Sequence, residues 1–225
     1  MVRRSGFRHA MKAAATMLLA VAACSKPGGW AHADLGGAII TPSIPKPDFT
    51  LTDTRGEPFD FRRGTAGKVA LLYFGYTHCP DVCPLQMSHL SLALHRLDSA
   101  VAARIAVVFV TTDSARDSLP RLRSWLDQFD SSFVGLTGGL ERVNAIQTGT
   151  GILPASERQS DSAIGYRMGH SGLVLAFTPD DTAHLAFPPS TTEEGWVSDL
   201  RRLVEAGPPP ARMTPGPLPA HPAAN

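Results

Sequence analysis

The sequence predicts an α/β fold in which helices flank a mixed central sheet, and three observations support this prediction. Two apolar runs, at residues 69–75 and 105–110, have the length and composition of buried strands. Helix-like segments follow both runs, so strands and helices alternate along the chain. The segment that carries this alternation, residues 45–206, is long enough to form one domain with its own hydrophobic core.

The first half of this segment contains the elements around the two apolar runs. Residues 48–53 alternate polar and apolar side chains before a turn at 54–57, which predicts an added N-terminal hairpin. After the first apolar run, the leucines between residues 85 and 99 recur with a broadly helical period. The second run is followed by a short helix over residues 120–129, with a proline in its first turn.

The second half predicts a strand, a helix, a strand pair and a last helix. We expect an edge strand at residues 133–136 and a helix at 141–147. Two apolar stretches within residues 172–187 flank a turn, which predicts a hairpin. Thr191 and Glu194 have the spacing of a capping box that opens the last helix. A strand–helix–strand unit followed by a hairpin and a helix is the order expected of a thioredoxin-like fold.

The first 24 residues resemble a bacterial lipoprotein signal. Residues 1–12 carry basic side chains without acids, and the apolar stretch at 13–22 is too short to span a bilayer. Small residues precede Cys24, which predicts a signal peptide over residues 1–23 and a lipid on Cys24 as the first mature residue. An ordinary secretory signal cleaved nearby is the alternative. We therefore expect an extracytoplasmic protein, lipid-anchored to a bacterial membrane on its periplasmic side.

Two segments outside the domain differ from it in composition. Residues 24–44 are rich in glycine, alanine and proline, which predicts a flexible membrane tether. Residues 207–225 contain seven prolines and little apolar periodicity, which predicts a disordered tail. Loss of residues 1–23 removes four of the 21 basic side chains and none of the 20 acidic ones, so the net charge falls from +1 to −3. This charge gives no indication of a nucleic-acid surface.

Cys79 and Cys83 form the most informative motif of the sequence. They lie where the strand at 69–75 gives way to a helix, and unpaired N–H groups with the helix dipole lower the pKa of a thiol there. A close pair of such thiols can exchange disulfides or hold a soft metal ion. Because each cysteine precedes a proline, we expect a stiff loop that turns both sulfurs outward, with Pro84 opening the helix. Asp81 between them either tunes the thiolates or favours the helix N-terminus, and the second role is the default interpretation.

The segment YFGYTHCPDVCP at residues 73–84 closely resembles the Sco/SenC family of copper-binding, thioredoxin-like proteins. The segments FVTTDSARD at 109–117 and FVGLTG at 133–138 resemble two further parts of that family. Gly169-His170-Ser171 falls where the family places its metal-binding histidine. The resemblance therefore implies a metal site formed by Cys79, Cys83 and His170.

Copper is the metal that the resemblance implies for this site. Copper(I) is soft and favours thiolate sulfur, with imidazole as a further ligand, so two cysteines and one histidine suit it. With an added oxygen ligand, the same set could hold copper(II). Zinc is the competing metal, because a Cys₂His set with an open position also binds zinc.

Other side chains near the motif have more ordinary interpretations. His78 is expected at the rim of the site, because its side chain points away from that of its cysteine neighbour in an extended segment. Met87 is interpreted as core filling and His89 as part of a solvated helix face. Asp113 and Arg116 are expected to form an ion pair that fixes a loop.

Two functions from different classes follow from these residues. The resemblance implies a metallochaperone that delivers copper to the dinuclear site of cytochrome c oxidase subunit II, or to another copper-receiving protein. Alternatively, Cys79 and Cys83 form the redox-active pair of a thiol–disulfide oxidoreductase that reduces cysteines of such a partner. The Cys-x₃-Cys spacing favours the first function, because dedicated thioredoxin-like reductases typically use Cys-x₂-Cys. A redox sensor or a peroxidase-like activity is a weaker alternative. We expect a monomer.

Overall fold

The computed structural model describes residue 30 and residues 35–159 and 166–209. The predicted signal peptide and the predicted lipidation site, Cys24, lie outside the described residues. The strands, in chain order, are β1 (Ala38–Pro45), β2 (Thr50–Asp53), β3 (Pro58–Asp60), β4 (Val69–Gly75), β5 (Ile105–Thr111), β6 (Val134–Thr137), β7 (Ser156–Gln159), β8 (Tyr166–Gly169), β9 (Val174–Thr178) and β10 (Thr182–Phe187). The helices are α1 (Phe61–Gly64), α2 (Val82–Arg96), α3 (Ser99–Ala102), α4 (Leu119–Leu126), α5 (Leu140–Gly149) and α6 (Glu193–Glu205).

Eight strands form one mixed sheet in the order β1-β10-β9-β4-β5-β6-β2-β3, and β7 and β8 form a separate two-stranded sheet. The pairs β4–β5 and β5–β6 are parallel, whereas the other pairs are antiparallel. The mixed central sheet and the added hairpin, β2–β3, are therefore confirmed. The prediction of an edge strand near residue 134 was wrong, because the hairpin pairs with β6 and covers it.

The two faces of the sheet carry separate hydrophobic cores. All seven residues of β4 are buried, and successive side chains of a strand point to opposite faces. Leu71 and Tyr73 therefore join the core under α2, α4 and α6, while Leu72 and Phe74 join the core under α1 and α5. This burial on both faces explains why β4 reads as a continuous apolar run.

The predicted flexible tether over residues 24–44 was wrong for its last part. β1 begins at Ala38 and pairs with β10, so these residues belong to the sheet. The buried carboxylate of Asp199 in α6 accepts hydrogen bonds from the backbone N–H groups of Gly36 and Gly37, both at 2.9 Å. These contacts hold the segment before β1 against α6.

Both predicted terminal segments have residues that pack on the domain. Trp30 is buried, and its indole N–H donates to the carbonyl of Gly207 at 3.0 Å. Pro209 is buried as well, so the first residues of the predicted tail are part of the packed structure. The rest of the predicted tail, residues 210–225, lies outside the described residues.

The predicted start of α2 was wrong, and its predicted buried face was only partly right. The helix begins at Val82 and buries Cys83, Met87 and Leu90, which are spaced as one helical face. Leu85 and Leu92 are 45% and 50% exposed, so the packed face includes Leu90 but not these two members of the predicted leucine stripe.

The cap of α6 also differs from the prediction by one residue. Thr192, rather than Thr191, is the N-cap, and its hydroxyl accepts a hydrogen bond from the N–H of Gly195 at 3.1 Å. Thr191 instead donates its hydroxyl to the carbonyl of Gly36. None of the helices in the described part of the chain has both the length and the apolar character needed to cross a lipid bilayer.

Candidate metal centre

The two cysteines lie at the carboxyl end of β4, where the chain turns into α2. Asp81 is the N-cap of α2, and its carboxylate accepts a hydrogen bond from the N–H of Val82 at 2.6 Å. Cys83 consequently lies in the first helical turn, and Cys79 lies in the loop before it. The predicted role of Asp81 at the helix N-terminus is confirmed.

Both sulfurs point inward, which contradicts the prediction that the loop turns them outward. Cys79 is 8% exposed and Cys83 is fully buried. The reason is that the helix starts before Pro84, so the first turn of α2 packs Cys83 against β4. A Cβ at Gly75 would lie 2.8 Å from the sulfur of Cys83, so the last residue of β4 makes room for the thiol by lacking a side chain.

The structure brings the three predicted ligands together. The ligand atoms of Cys79, Cys83 and His170 all lie within 4.8 Å of one another. Nε2 of His170 is 3.5 Å from the sulfur of Cys83, and the backbone N–H of Cys83 points at the sulfur of Cys79 from 3.5 Å. Both cysteines are free thiols. Two sulfurs and one nitrogen therefore converge on one point at the end of the sheet.

Hydrogen bonds fix the orientation of His170, which directly follows β8. Nδ1 lies 3.1 Å from the carbonyl of Ser171, and a carbonyl can only accept, so Nδ1 carries the proton. Nε2, which faces the cysteines, then presents its lone pair. Gln86 of α2 donates to the carbonyl of Gly172 at 2.9 Å and holds the loop after His170 against the cysteine helix.

The two thiols have opposite electrostatic environments. The hydrogen bond from Cys83, together with hydrogen bonds from backbone N–H groups, lowers the pKa of Cys79 to about 4. Burial raises the pKa of Cys83, and the adjacent thiolate raises it further. Tyr73, itself buried beneath the site, donates its hydroxyl to the sulfur of Cys83 at 3.4 Å. The metal-free site thus contains one thiolate and one thiol that shares its proton.

A buried carboxylate supports the loop that carries Cys79. Asp117 accepts hydrogen bonds from the backbone N–H of Thr77 at 2.9 Å and from the hydroxyls of Thr77 and Thr111 at 2.6 and 2.5 Å. His78 is 3.4 Å from the same carboxylate and its side chain is 28% exposed, which places it at the rim as predicted. Sequence reasoning missed Asp117, because its partners are 6 and 40 residues away.

A second cluster holds β8, and with it His170, against the end of β5. Arg116 makes the predicted ion pair with Asp113, at 2.5 Å. Its guanidinium also stacks on the ring of Tyr166 at 3.6 Å, and the hydroxyl of Tyr166 donates to Asp113 at 2.8 Å. Tyr166 was not singled out in the sequence, because a single tyrosine in a polar segment has no distinguishing pattern.

The predictions for Met87 and His89 have different outcomes. Met87 is fully buried in the core beneath α2, so its interpretation as core filling is confirmed. His89 is half-buried rather than solvated, and its Nδ1 is inaccessible to solvent.

Comparison with known proteins supports the interpretation of this geometry. The SCO1/SenC family model matches residues 39–205, which is most of the chain. The chain belongs to the SCO1/SenC family. The matched segment contains the three converging side chains and every strand of the eight-stranded sheet except the first residue of β1.

Members of the SCO1/SenC family share sequence and structure with this chain over most of the domain. Mitochondrial SCO2 of Saccharomyces cerevisiae is 29% identical over 158 residues, which cover 70% of this chain and about half, 52%, of that protein. The structure of Bradyrhizobium japonicum ScoI with copper bound matches with a TM-score of 0.62 and 28% identity, over 71% of this chain and 99% of that one. Yeast Sco1 with copper bound matches with the same TM-score and identity, over 71% and 87%. These matches confirm the predicted thioredoxin-like fold.

The low pKa of Cys79 predicts unusual reactivity for this SCO1/SenC domain. A thiol titrating at about 4 is already a thiolate at higher pH, so its alkylation rate should be nearly constant from about pH 5 to pH 8. Cys83, which is fully buried, should remain unmodified in the folded protein. Mass spectrometry after iodoacetamide treatment of the reduced, metal-free protein measures both rates. A Cys79 rate that rises about tenfold per pH unit would show an ordinary thiol.

Proposed function

We propose that the chain is a copper metallochaperone that binds one copper ion through Cys79, Cys83 and His170 and passes it to a partner. The observation that carries this proposal is the convergence of two sulfurs and one imidazole nitrogen within 4.8 Å of one another. Membership of the SCO1/SenC family and the likeness to two relatives with copper bound support the choice of metal.

The donor set fits copper(I) on chemical grounds. Soft thiolates select copper(I), and an imidazole with a free lone pair is a suitable third ligand. The Cys79 thiolate is formed at neutral pH, and metal binding would displace the proton that Cys83 shares with it. Copper(II) would need a further oxygen ligand, and the Asp81 carboxylate, 3.7 Å from the sulfur of Cys79, is a nearby source.

The proposed recipient is the dinuclear copper site of cytochrome c oxidase subunit II, during assembly of the oxidase. We infer delivery rather than storage because the Cys79 residue retains 8% exposure, whereas Cys83 has none. A recipient thiolate could therefore reach the metal from the side of Cys79 while Cys83 and His170 still hold it. Exchange of one ligand at a time avoids releasing free copper.

A thiol–disulfide oxidoreductase is the second candidate, and the asymmetry of the thiols favours it. The Cys79 thiolate would attack a disulfide of the partner and release one partner thiolate. Cys83 would then lose its proton and attack the mixed disulfide, which leaves Cys79–Cys83 oxidised and both partner cysteines reduced. The same pair can serve both functions, because a recipient must present reduced cysteines before it accepts copper.

Membrane attachment through a lipid on Cys24 would keep the domain close to a membrane-bound recipient in the extracytoplasmic space. Tethering raises the effective concentration of such a partner without any new contact. Trp30 packs on the domain, and five residues lie between it and Cys24, so this link can span at most about 20 Å. Labelled palmitate should be incorporated by the wild-type chain in cells and not by Cys24→Ser, and equal labelling would remove this lipidation site.

Transfer to a purified recipient tests the proposed function. The copper(I)-loaded protein is mixed with the reduced, metal-free copper domain of subunit II, and the copper content of each is measured after separation. We expect the copper gained by the recipient to equal the copper lost by the donor. The transfer should also be faster than transfer from copper(I) bound to a small-molecule chelator. Failure to transfer, combined with efficient reduction of the oxidised recipient domain, would favour the oxidoreductase instead.

A further inference from the structure

Two exposed arginines lie directly opposite each other in the small sheet that precedes His170. Arg158 in β7 and Arg167 in β8 are cross-strand partners, and opposed residues of an antiparallel pair project from the same face. Among the residues that the structure describes, neither guanidinium has an ion-pair or hydrogen-bond partner. Directly opposed like charges destabilise a strand pair. This arrangement would therefore be stabilised by a negatively charged group.

Arg158 also extends over the residue before the predicted metal ligand. A Cβ at Gly169 would lie 2.8 Å from Nε of Arg158, so the guanidinium group occupies the space that a side chain would fill. Gly169 is on the same face of the small sheet as both arginines, because it lies opposite Ser156 in the same register. Since His170 follows directly, this positive charge lies next to the candidate metal centre.

A third arginine lies beside the cysteine loop. Arg121 is exposed, and its Nε donates to the hydroxyl of Thr77, two residues before Cys79. Among the residues with a described position, the exposed acids nearby are fewer. Asp81 is engaged as the cap of α2, and Glu157 alternates with Arg158 along β7, so it projects from the opposite face of that strand. The surroundings of the site are thus positive on a chain whose 21 basic and 20 acidic side chains nearly balance.

We propose that Arg121, Arg158 and Arg167, the arginine face, dock an acidic protein surface that surrounds the copper-receiving site of the recipient. This inference rests on the proposed function, because it names the surface through which copper transfer occurs. Guanidinium groups bind carboxylates in a bidentate geometry and remain charged at any physiological pH. Complementary charges around a transfer site speed association and set the relative orientation of the partners. Docking here would direct Cys79 toward the ligands of the recipient.

Charge reversal on the arginine face tests the proposal. Binding of the full chain, purified as the cell processes it, to the copper domain of subunit II is measured over a range of salt concentrations. Arg158→Glu/Arg167→Glu should weaken the complex by at least about tenfold and reduce its salt dependence, while copper(I) affinity stays unchanged. The matched control is Lys68→Glu/Arg104→Glu, which makes the same charge change on exposed residues directly before β4 and β5, at the opposite end of the sheet. It should leave the complex within about twofold of wild type.

Two results would overturn the proposal. One is an unchanged complex in the Arg158→Glu/Arg167→Glu variant. The other is an arginine-dependent preference for phosphatidylglycerol over phosphatidylcholine vesicles with no effect on the protein complex, which would assign the face to an anionic membrane. Docking is measured on the metal-free chain as well as the loaded one. A wild-type chain that docks but binds no copper would therefore contradict the proposed function and leave the docking proposal standing.

Discussion

Replacing His170 with alanine is expected to weaken copper(I) binding by at least about tenfold and to remove the sulfur-to-copper(II) charge-transfer band. The variant loses the only nitrogen donor among the three converging side chains and leaves the two sulfurs in place. The fold should be retained, because the half-buried His170 is not part of either hydrophobic core. Competition with a copper(I) chelator measures the affinity, and visible absorption measures the band.

The control for this experiment is His184→Ala. His184 lies in β10 and pairs with Asp180 at the turn before that strand, which is remote from the cysteine loop. Its loss removes the same chemical group without touching the candidate metal centre, so copper binding should be unchanged. If His170→Ala behaves like this control in both affinity and spectrum, His170 is not a ligand.

Oxidation of the cysteine pair is expected to abolish copper binding at the site. The sulfurs of Cys79 and Cys83 lie within 4.8 Å of each other, so a small shift of the loop brings them to bonding distance. A disulfide leaves no thiolate, and thiolate is the form that binds the metal. Oxidised protein mixed with copper, without reductant, should elute free of metal from a desalting column.

Addition of a reductant to the same oxidised sample should restore one copper per chain. This recovery is the control that separates loss of ligands from irreversible damage. Tight, stoichiometric copper binding by the oxidised protein would mean that the thiols are not the main ligands. It would also contradict the proposal that the same cysteine pair serves both metal transfer and thiol exchange.

The sequence predicted those features whose pattern lies within one short segment of the chain. The bounds of β4 were predicted without error, because a strand buried on both faces appears in the sequence as a continuous apolar run, here of seven residues. The hairpin β2–β3 was also predicted, since alternation before a turn is a local pattern. The cysteine motif identified the site for a similar reason, because both thiols lie within one short segment.

Elements that depend on distant partners were missed or misplaced. β1 belongs to the sheet because it pairs with β10, about 140 residues later, and no feature of its own sequence requires that partner. β7 is fully exposed and polar, so it has no hydrophobic signal at all. The inward direction of the sulfurs depends on where α2 begins, and the proline after each cysteine suggested a later start than the Asp81 cap imposes.

The histidine was placed by resemblance and not by pattern. Nothing in the sequence around His170 shows that β8 runs beside the cysteine loop. That proximity depends on Tyr166 and Arg116 holding β8 to the end of β5, and on Gln86 holding the following loop to α2. Each of these contacts spans 50 or more residues, which is why a single sequence does not reveal them.

X-ray absorption at the copper edge of the reduced, copper(I)-loaded protein tests the central claim most directly. The account predicts one copper per chain, coordinated by two sulfurs and one imidazole nitrogen, with the nitrogen contribution lost in His170→Ala. A spectrum without sulfur ligands, or with sulfur ligands that persist after both Cys79 and Cys83 are replaced by serine, would contradict it.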